Sequence, residues 1–269
     1  MPDFTFHTFK KLLKALKEQQ YAFQSFVGFL KNPAPRAIIL RHDVDARKLN
    51  SLHAAKLEAE LGISGTFNFR MVSQSFDPEV IREIAALGHE IGYHYEDLST
   101  VKGNYEEAIK SFEQNLAKLR HIVPIETICM HGSPLSKYDN RKIWERYNYK
   151  RYGIIGEPYF DLDFSQMLYL TDTGRRWDGE KVSIRDKVSG ERERGREGEG
   201  VRERIESQTS QSIFHSTFDI IHAASQGKLP DKIMITIHPQ RWEDRPLPWI
   251  RELVFQNCKN VIKSIIAGR

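Results

Sequence analysis

The chain has 269 residues, 40% hydrophobic and 28% charged, with a formal net charge of +4. This length suits one large α/β domain or two small ones, and the interleaved charges carry no nucleic-acid footprint. The two cysteines, Cys129 and Cys258, are too few for a disulfide framework.

Hydrophobic periodicity predicts alternating helices and strands. A helix around residues 9–16 and a short strand at 21–26 come first, and a proline-containing loop at 32–35 follows them. The later predicted strands are 37–45, 65–70, 89–94, 128–130, 167–170 and 233–237. The later predicted helices are 49–61, 78–87, 104–120, 218–224 and 248–266. This alternation predicts a parallel sheet with crossover helices, an α/β fold that we assign to a single domain, 1–269.

A segment at 189–206 interrupts this pattern. It consists almost entirely of Glu, Arg and Gly, and its first apolar residue is Val201. Such a composition buries too little surface to offset the entropy of ordering, so we expect a mobile charged insertion without a chemical role.

We find neither a secretory signal nor a stretch of about 18 apolar residues that could span a membrane. We therefore expect a cytoplasmic protein without a membrane span, and the oligomeric state stays open.

The strand at 37–45 ends in two carboxylates. Its sequence, AIILRHDVD, is an apolar run followed by Asp43 and Asp45. Side chains alternate along an extended backbone, so the two carboxylates should share one face. One could bind a metal while the other transfers a proton. The alternative interpretation is that they only cap the next helix.

Five other predicted strands also end in polar or ionisable residues. The residues at the strand ends are Asp43, Asp45, Arg70, His94, His131, Asp172 and His238. Parallel strands place their carboxyl ends on one rim of a barrel, where the active sites of such folds lie. This repeated arrangement indicates an enzyme.

Carboxylate and imidazole are the ligands of a divalent metal that keeps a position open for water. Asp45 and His94 form the natural pair of ligands. Asp43 could then act as the base on water at that metal, and His238 could protonate the leaving amine or alkoxide.

At these positions the chain resembles the polysaccharide deacetylases of carbohydrate esterase family four, the NodB-homology group. The resemblance covers about residues 36–242. Residues 40–45 (LRHDVD) resemble the family's first motif in its Asp-x-Asp form, and 63–67 (ISGTF) resemble the strand that follows. Residues 87–94 (LGHEIGYH) resemble the approach to the second motif, and 237–239 (IHP) resemble the last motif.

The resemblance implies an irregular (β/α) barrel of about seven parallel strands, a deacetylase-type barrel. It implies that Asp43 is the catalytic base, that Asp45 and His94 bind one divalent metal ion, with zinc favoured, and that His238 is the acid.

The chain departs from the family in two motifs. The second motif is H-x-x-x-H, but Leu98 stands four residues after His94. His131, Asp97 and Glu96 are the candidates for the missing ligand, and we favour His131 because imidazole suits zinc.

The third motif, an Arg-x-Pro that holds the catalytic base, has no clean match, since HGSP at 131–134 stands in its place. Arg41 or Arg70 could hold Asp43 instead. The Asp and Trp of the fourth motif correspond loosely to Asp172, Trp177 and Asp178.

Four residues are candidates for binding substrate: Arg70, Asp172, Arg175 and Trp177. An arginine can clamp a carboxylate or phosphate, and a tryptophan can stack on a sugar ring. The alternative for Arg175 and Trp177 is a solvated loop with one anchoring aromatic. Trp242 either walls the site or only packs the barrel end.

These features predict a metal-dependent hydrolase that removes an acetyl group from an N- or O-acetylated sugar or a related small amide. A non-catalytic carbohydrate- or nucleotide-sugar-binding protein on a degenerate barrel is the alternative, and Leu98 supports it. A barrel phosphoesterase is a weaker possibility, because the sequence has no Gly-rich phosphate cradle.

Overall fold

The computed structural model describes residues 2–132, 136–177 and 214–267, with side chains described as far as residue 260. Seven strands lie in this part of the chain. They are β1 (Ala22–Gln24), β2 (Ala37–Val44), β3 (Thr66–Phe69), β4 (Glu90–Tyr95), β5 (Ile128–Met130), β6 (Leu168–Thr171) and β7 (Lys232–Ile237).

All the strand pairs are parallel, and the order across the sheet is β5-β4-β3-β2-β7-β6. The last strand along the chain, β7, thus pairs with β2, which curls the sheet into a half-barrel that is open between β5 and β6. Strand β1 pairs with the first part of β2, on the edge that β3 occupies further along. The predicted α/β barrel of about seven parallel strands is confirmed.

Strand β2 lies at the centre of this sheet. All eight of its residues are buried. Ile38 and Leu40 belong to the main apolar core, whereas Arg41, His42 and Asp43 are buried polar residues at the strand's carboxyl end. This composition agrees with a strand covered on both faces, where burial continues without alternation.

Helices flank the sheet. They are α1 (Phe6–Glu18), α2 (Phe26–Lys31), α3 (Lys48–Glu60), α4 (Pro78–Ala86), α5 (Asp97–Thr100), α6 (Tyr105–Arg120), α7 (Pro158–Asp161), α8 (Thr217–Ser225) and α9 (Pro246–Ala267). Short 3-10 helices occupy Asn140–Glu145, Tyr149–Tyr152, Phe164–Gln166 and Pro239–Arg241.

The longer elements match the sequence prediction closely, and several of them carry an amphipathic repeat or a side-chain cap. In α4, for example, Asp77 accepts hydrogen bonds from the backbone N–H groups of Glu79 and Val80, and Pro78 opens the helix. The short helices α2, α5 and α7 were not predicted, since four to six residues are too few to show a 3.6-residue period.

The charged insertion at 189–206, Ser133, Pro134 and Asp178 lie outside the described residues. Within the described residues, none of the helices is both long enough and apolar enough to cross a lipid bilayer.

Glu157 lies at the end of β5, on the open side of the half-barrel. Its carboxylate accepts hydrogen bonds from the backbone N–H of Met130 at the end of β5 (3.1 Å) and from that of Tyr159 (2.6 Å). The side chain is fully buried. Burial raises the pKa of Glu157 from its ordinary value of 4.5 to about 7, against the lowering effect of these two hydrogen bonds.

This raised pKa predicts a pH-dependent stability. Between about pH 4.5 and 7, Glu157 is protonated in the folded state and ionised in the unfolded state. Its contribution to the free energy of unfolding is therefore fully present below pH 4.5 and is lost as the pH rises through 7. Urea unfolding measures the free energy of unfolding at each pH. Between pH 4.5 and 7 this free energy should decrease by roughly 3 kcal/mol less in Glu157→Gln than in wild type. The exposed Glu126→Gln is the control. Parallel pH profiles for wild type and Glu157→Gln would contradict the assignment.

Candidate metal centre and active site

Three side chains, supplied by strands β2, β4 and β5 or the residues just after them, converge at the carboxyl edge of the sheet. Asp45 follows β2, His94 lies in β4 and His131 follows β5. Asp45 Oδ1 is 3.6 Å from His94 Nε2 and 3.1 Å from His131 Nδ1, and the two ring nitrogens are 3.2 Å apart. One carboxylate and two imidazoles this close together could hold a divalent metal ion.

The state of Asp45 supports this interpretation. Its Oδ1 atom is buried and lacks a hydrogen bond of regular geometry, although it lies 3.1 Å from His131 Nδ1. Gln240 Nε2 donates to the other oxygen at 3.1 Å. A cation would supply the partner that Oδ1 lacks.

His94 is set up as a neutral ligand. Its Nδ1 lies 3.0 Å from the backbone carbonyl of Cys129, so its Nε2 faces the two partner ligands. Burial, with the charges of His131 and Arg41, lowers the pKa of His94 to about 4 in spite of the nearby carboxylates. At neutral pH the ring therefore offers a free lone pair. For His131 burial also lowers the pKa, but the charge and hydrogen bonding of Asp45, together with the charge of Glu96, outweigh it and raise the pKa.

The structure separates the three candidates for the missing ligand. Asp97 points away from the site, since Tyr93 Oη and Ser111 Oγ donate to it at 2.7 and 2.6 Å. Glu96 is held by Arg70 in two hydrogen bonds of 2.9 and 2.8 Å, with its Oε2 atom 3.9 Å from His131 Nε2. His131 alone of the three reaches Asp45 and His94.

Leu98, at the position of the family's second histidine, is a core residue of α5. It offers no ligand atom to the site.

Asp43 is a buried carboxylate held by its own strand. Arg41, two residues earlier and on the same face, donates to its two oxygens at 2.9 and 2.5 Å. Burial alone would raise the pKa of Asp43, but the charge and hydrogen bonds of Arg41, together with the charge of His94, outweigh it and hold the pKa well below its usual range. Asp43 is therefore ionised at neutral pH, 3.9 Å from His94 Nε2. Arg41, not Arg70, holds this carboxylate.

Asn68 completes the surroundings of Asp43 and was not predicted. Its amide donates to Asp43 Oδ1 at 3.3 Å. Asn68 lies in β3, opposite Gly92 of the neighbouring strand β4. A Cβ atom on Gly92 would lie 2.1 Å from Asn68 Oδ1, so only glycine leaves room for this amide. Gly92 was the one hint in the sequence to the role of Asn68. It could not be interpreted without the register of β3 and β4, which places the two residues opposite each other.

His238 follows β7 and is held by Asp172, which follows the neighbouring strand β6. Asp172 Oδ1 lies 2.6 Å from His238 Nδ1, and Asp172 also accepts hydrogen bonds from Arg241 (2.9 Å) and from Trp242 Nε1 (2.7 Å). Burial would raise the pKa of Asp172, but the charges of His238 and Arg241 lower it. Strand β7 pairs with β2, and Gln240, two residues after His238, donates to Asp45 at 3.1 Å, so the end of β7 lies beside the end of β2.

Asp172, predicted to bind substrate, contacts only other residues of the protein in the structure. Its side chain is fully buried beneath His238 and all its contacts are internal. Trp242 is likewise fully buried, so it packs the barrel end and does not wall the site.

Arg175 and Trp177 also differ from the prediction. Arg175 is buried against α9, where it donates to the Trp249 carbonyl at 3.0 Å and lies over the Trp249 ring. Trp177 is buried against Phe4, and its Nε1 donates to Thr217 Oγ1 at 2.9 Å. Neither can contact a substrate at the rim. Arg70 remains beside the site, but its guanidinium is engaged by Glu96.

Cys129 is fully buried. Its Sγ atom nevertheless belongs to a second donor group with Asp43 and His94, all within 4.8 Å of one another. Strand β5 thus faces the site as well as the core.

A scan against protein-family models found no match for this chain, and no curated protein sequence matches it at a significant level. Among solved structures it is similar to a Streptococcus mutans CE4 esterase, with 11% identity, a TM-score of 0.43, and 94% of this chain and 91% of that chain covered. It is also similar to the Xyl-CE4 domain of a multidomain xylanase from the hindgut metagenome of Trinervitermes trinervoides, with 11% identity, a TM-score of 0.37, and coverage of 87% and 83%.

A further similar structure is a family 4 acetyl xylan esterase from Clostridium thermocellum in complex with a cobalt ion, with 16% identity, a TM-score of 0.36, and coverage of 82% and 83%. All three bear the name of the family that residues 40–45 and 87–94 resemble. In each case the sequence identity is low.

Metal titration of two variants tests the choice of the third ligand. His131→Gln should weaken zinc binding at least about 100-fold, because even the outer partners of metal ligands are worth roughly 10- to 100-fold. Asp97→Asn should lose stability but keep its zinc affinity, since Asp97 faces α6. Competition with a chromophoric chelator measures both affinities. Undiminished binding in His131→Gln, or loss in Asp97→Asn alone, would reject this ligand set.

Proposed function

We propose that this protein is a metal-dependent hydrolase that removes an acetyl group from an N- or O-acetylated sugar or a related small amide, as a divergent member of the polysaccharide deacetylase-like family. One observation carries the proposal. Asp45, His94 and His131 bring their donor atoms within 4.8 Å of one another, beside an ionised Asp43.

The family motifs give independent support. The resemblance assigns the base, the metal ligands and the acid to residues up to 195 positions apart, from Asp43 to His238. The pairing of β7 with β2, and the hydrogen bond from Gln240 to Asp45, support a shared reaction centre for them.

The metal would be held by Asp45, His94 and His131, a donor set that suits zinc. When bound, such an ion polarises the acyl carbonyl and makes water a stronger nucleophile at neutral pH. The identity of the ion is part of the proposal.

Asp43 is the proposed general base. A base must be ionised before it accepts a proton, and the charge of Arg41 ensures this. The two hydrogen bonds from Arg41 fix the carboxylate, and Asn68 adds a third. Asp43 lies 3.9 Å from His94, one of the residues that would hold the metal, which supports a role for it as the base.

His238 is the proposed general acid. Asp172 engages its Nδ1 atom, which leaves Nε2 as the atom able to give a proton to the leaving nitrogen or oxygen. Asp172 acts through His238 and is a positioning residue. Arg241 and Trp242 hold Asp172 in turn.

The second candidate is a non-catalytic sugar- or nucleotide-sugar-binding protein. Leu98 favours it, because the family's second imidazole is missing from that position. Metal content separates the two functions. Protein purified without chelators should hold about one divalent ion per chain if the site is a working centre. A chain that neither retains nor takes up zinc would favour the binding protein.

Replacing Asp43 tests the base. Asp43→Asn should reduce acetate release from acetylated sugars by about 100-fold or more, the usual share of general acid–base catalysis, with metal content unchanged. Because the asparagine keeps the shape, metal loss is not expected. Full activity in this variant would remove Asp43 from the mechanism.

Replacing Asp172 tests the positioning of His238. Asp172→Asn should lower kcat about 100-fold with little change in KM, since the buried carboxylate touches the acid and not the substrate. Steady-state kinetics separates the two constants. A raised KM with an unchanged kcat would instead assign Asp172 to substrate binding.

A further inference from the structure

Over residues 247–260 the last helix, α9, buries polar side chains and exposes several apolar ones, while Trp249 packs against Arg175 on the protein side. Leu247, Ile250 and Val254 recur at helical spacing, and they are 80%, 50% and 57% exposed. Phe255 beside them is 53% exposed. We call these four residues the apolar stripe. A surface helix normally turns such a stripe toward the core.

The opposite side of α9 is attached through polar contacts. Glu252 is buried and pairs with Arg47 at 3.1 Å. Gln256 is also buried and donates to Glu252 at 2.7 Å, and Asn260 donates to the backbone carbonyl of Gly174 at 2.9 Å. The helix is thus oriented by hydrogen bonds and an ion pair, and the apolar stripe is left for another partner.

The charge on the outer side of α9 is positive. Arg251 and Lys259 are exposed, and Lys259 lies over the Phe255 ring at 4.2 Å. Glu252, the one acidic residue in the sequence of this helix, faces inward. Apolar residues flanked by cations are typical of helices that lie in the interface of an anionic bilayer. A second copy of this chain would bring the same positive charges against this surface.

We propose that the apolar stripe and its flanking cations bind the surface of an anionic membrane. The stripe enters the boundary between headgroups and acyl chains, and Arg251 and Lys259 contact the lipid phosphates.

The same surface continues toward the rim of the sheet. A groove of about 660 Å³ lies between the starts of α3 and α9. Its lining includes Arg47, Lys48, Leu49, Arg245, Leu247 and Arg251. Leu49 is itself 68% exposed.

Arg47 joins this groove to the candidate metal centre. It donates to the carbonyl of Gln240, whose side chain donates to Asp45. Binding through α9 would therefore bring the rim with Asp45 close to the lipid surface.

Co-sedimentation of the full chain with lipid vesicles tests this proposal. The protein should bind vesicles of phosphatidylglycerol and phosphatidylcholine, bind pure phosphatidylcholine weakly, and dissociate as salt is raised. The double variant Leu247→Glu/Ile250→Glu should bind at least about tenfold more weakly, and Arg251→Gln about fivefold. Both changes lie on exposed positions, so the fold should persist.

Leu87→Glu is the matched control. Leu87 is also an exposed apolar residue, but it lies just before β4, at the opposite end of the sheet from the rim. Its vesicle binding should equal that of wild type.

Three outcomes would overturn the proposal. They are no binding to the anionic vesicles, equal binding to neutral vesicles, and undiminished binding of the double variant. A dimer seen by light scattering that the double variant abolishes, without vesicle binding, would instead make this surface an interface between copies. The assay needs no turnover, so its result is independent of the proposed reaction.

Discussion

The site depends on β2 being buried along its whole length and paired on both sides. Its hydrogen bonds to β3 on one edge and β7 on the other fix where residues 41–45 lie. Strand β7 ends in His238, while β3 reaches β4 and so His94. Because the strands are parallel, their carboxyl ends must meet at one rim. Every group of the candidate site is therefore placed relative to β2.

Burying the end of β2 also buries polar and ionisable groups, and Arg41, His42 and Asp43 each lie against an ionisable side chain. Arg41 and Asp43 form an ion pair within one strand. His42 points to the other side, where its Nε2 lies 2.8 Å from the buried Glu58 of α3 and its ring stacks on Phe67. An unpaired charge in such surroundings would cost far more than a paired one. The pairing leaves Asp43 ionised and in one position, as a general base requires.

The two proposals concern neighbouring regions. The rim carries the residues that could hold a metal, and α9, attached beside it through Glu252 and Arg47, carries exposed apolar and cationic residues. The connection from Arg47 through Gln240 to Asp45 is short. A reaction centre and a surface for membrane binding at the same end of the barrel would allow substrate to be met at a lipid interface.

The sequence by itself determined the alternation of elements and the residues that end each strand. These features are local, because an amphipathic repeat, a cap or an apolar run is written in neighbouring residues. Asp43, Asp45, His94 and His238 could be selected in this way, since a parallel sheet brings all its strand ends together.

Only the tertiary structure decided which partner each of these residues has. It selected Arg41 for Asp43, brought His131 rather than Asp97 to Asp45, and buried Asp172 under His238. Such choices depend on strand register and on the balance between desolvation and pairing of charges, which involve residues far apart in sequence. The exposure of the apolar stripe on α9 also depends on the tertiary structure, because polar contacts with residues distant in sequence help to set the orientation of the helix.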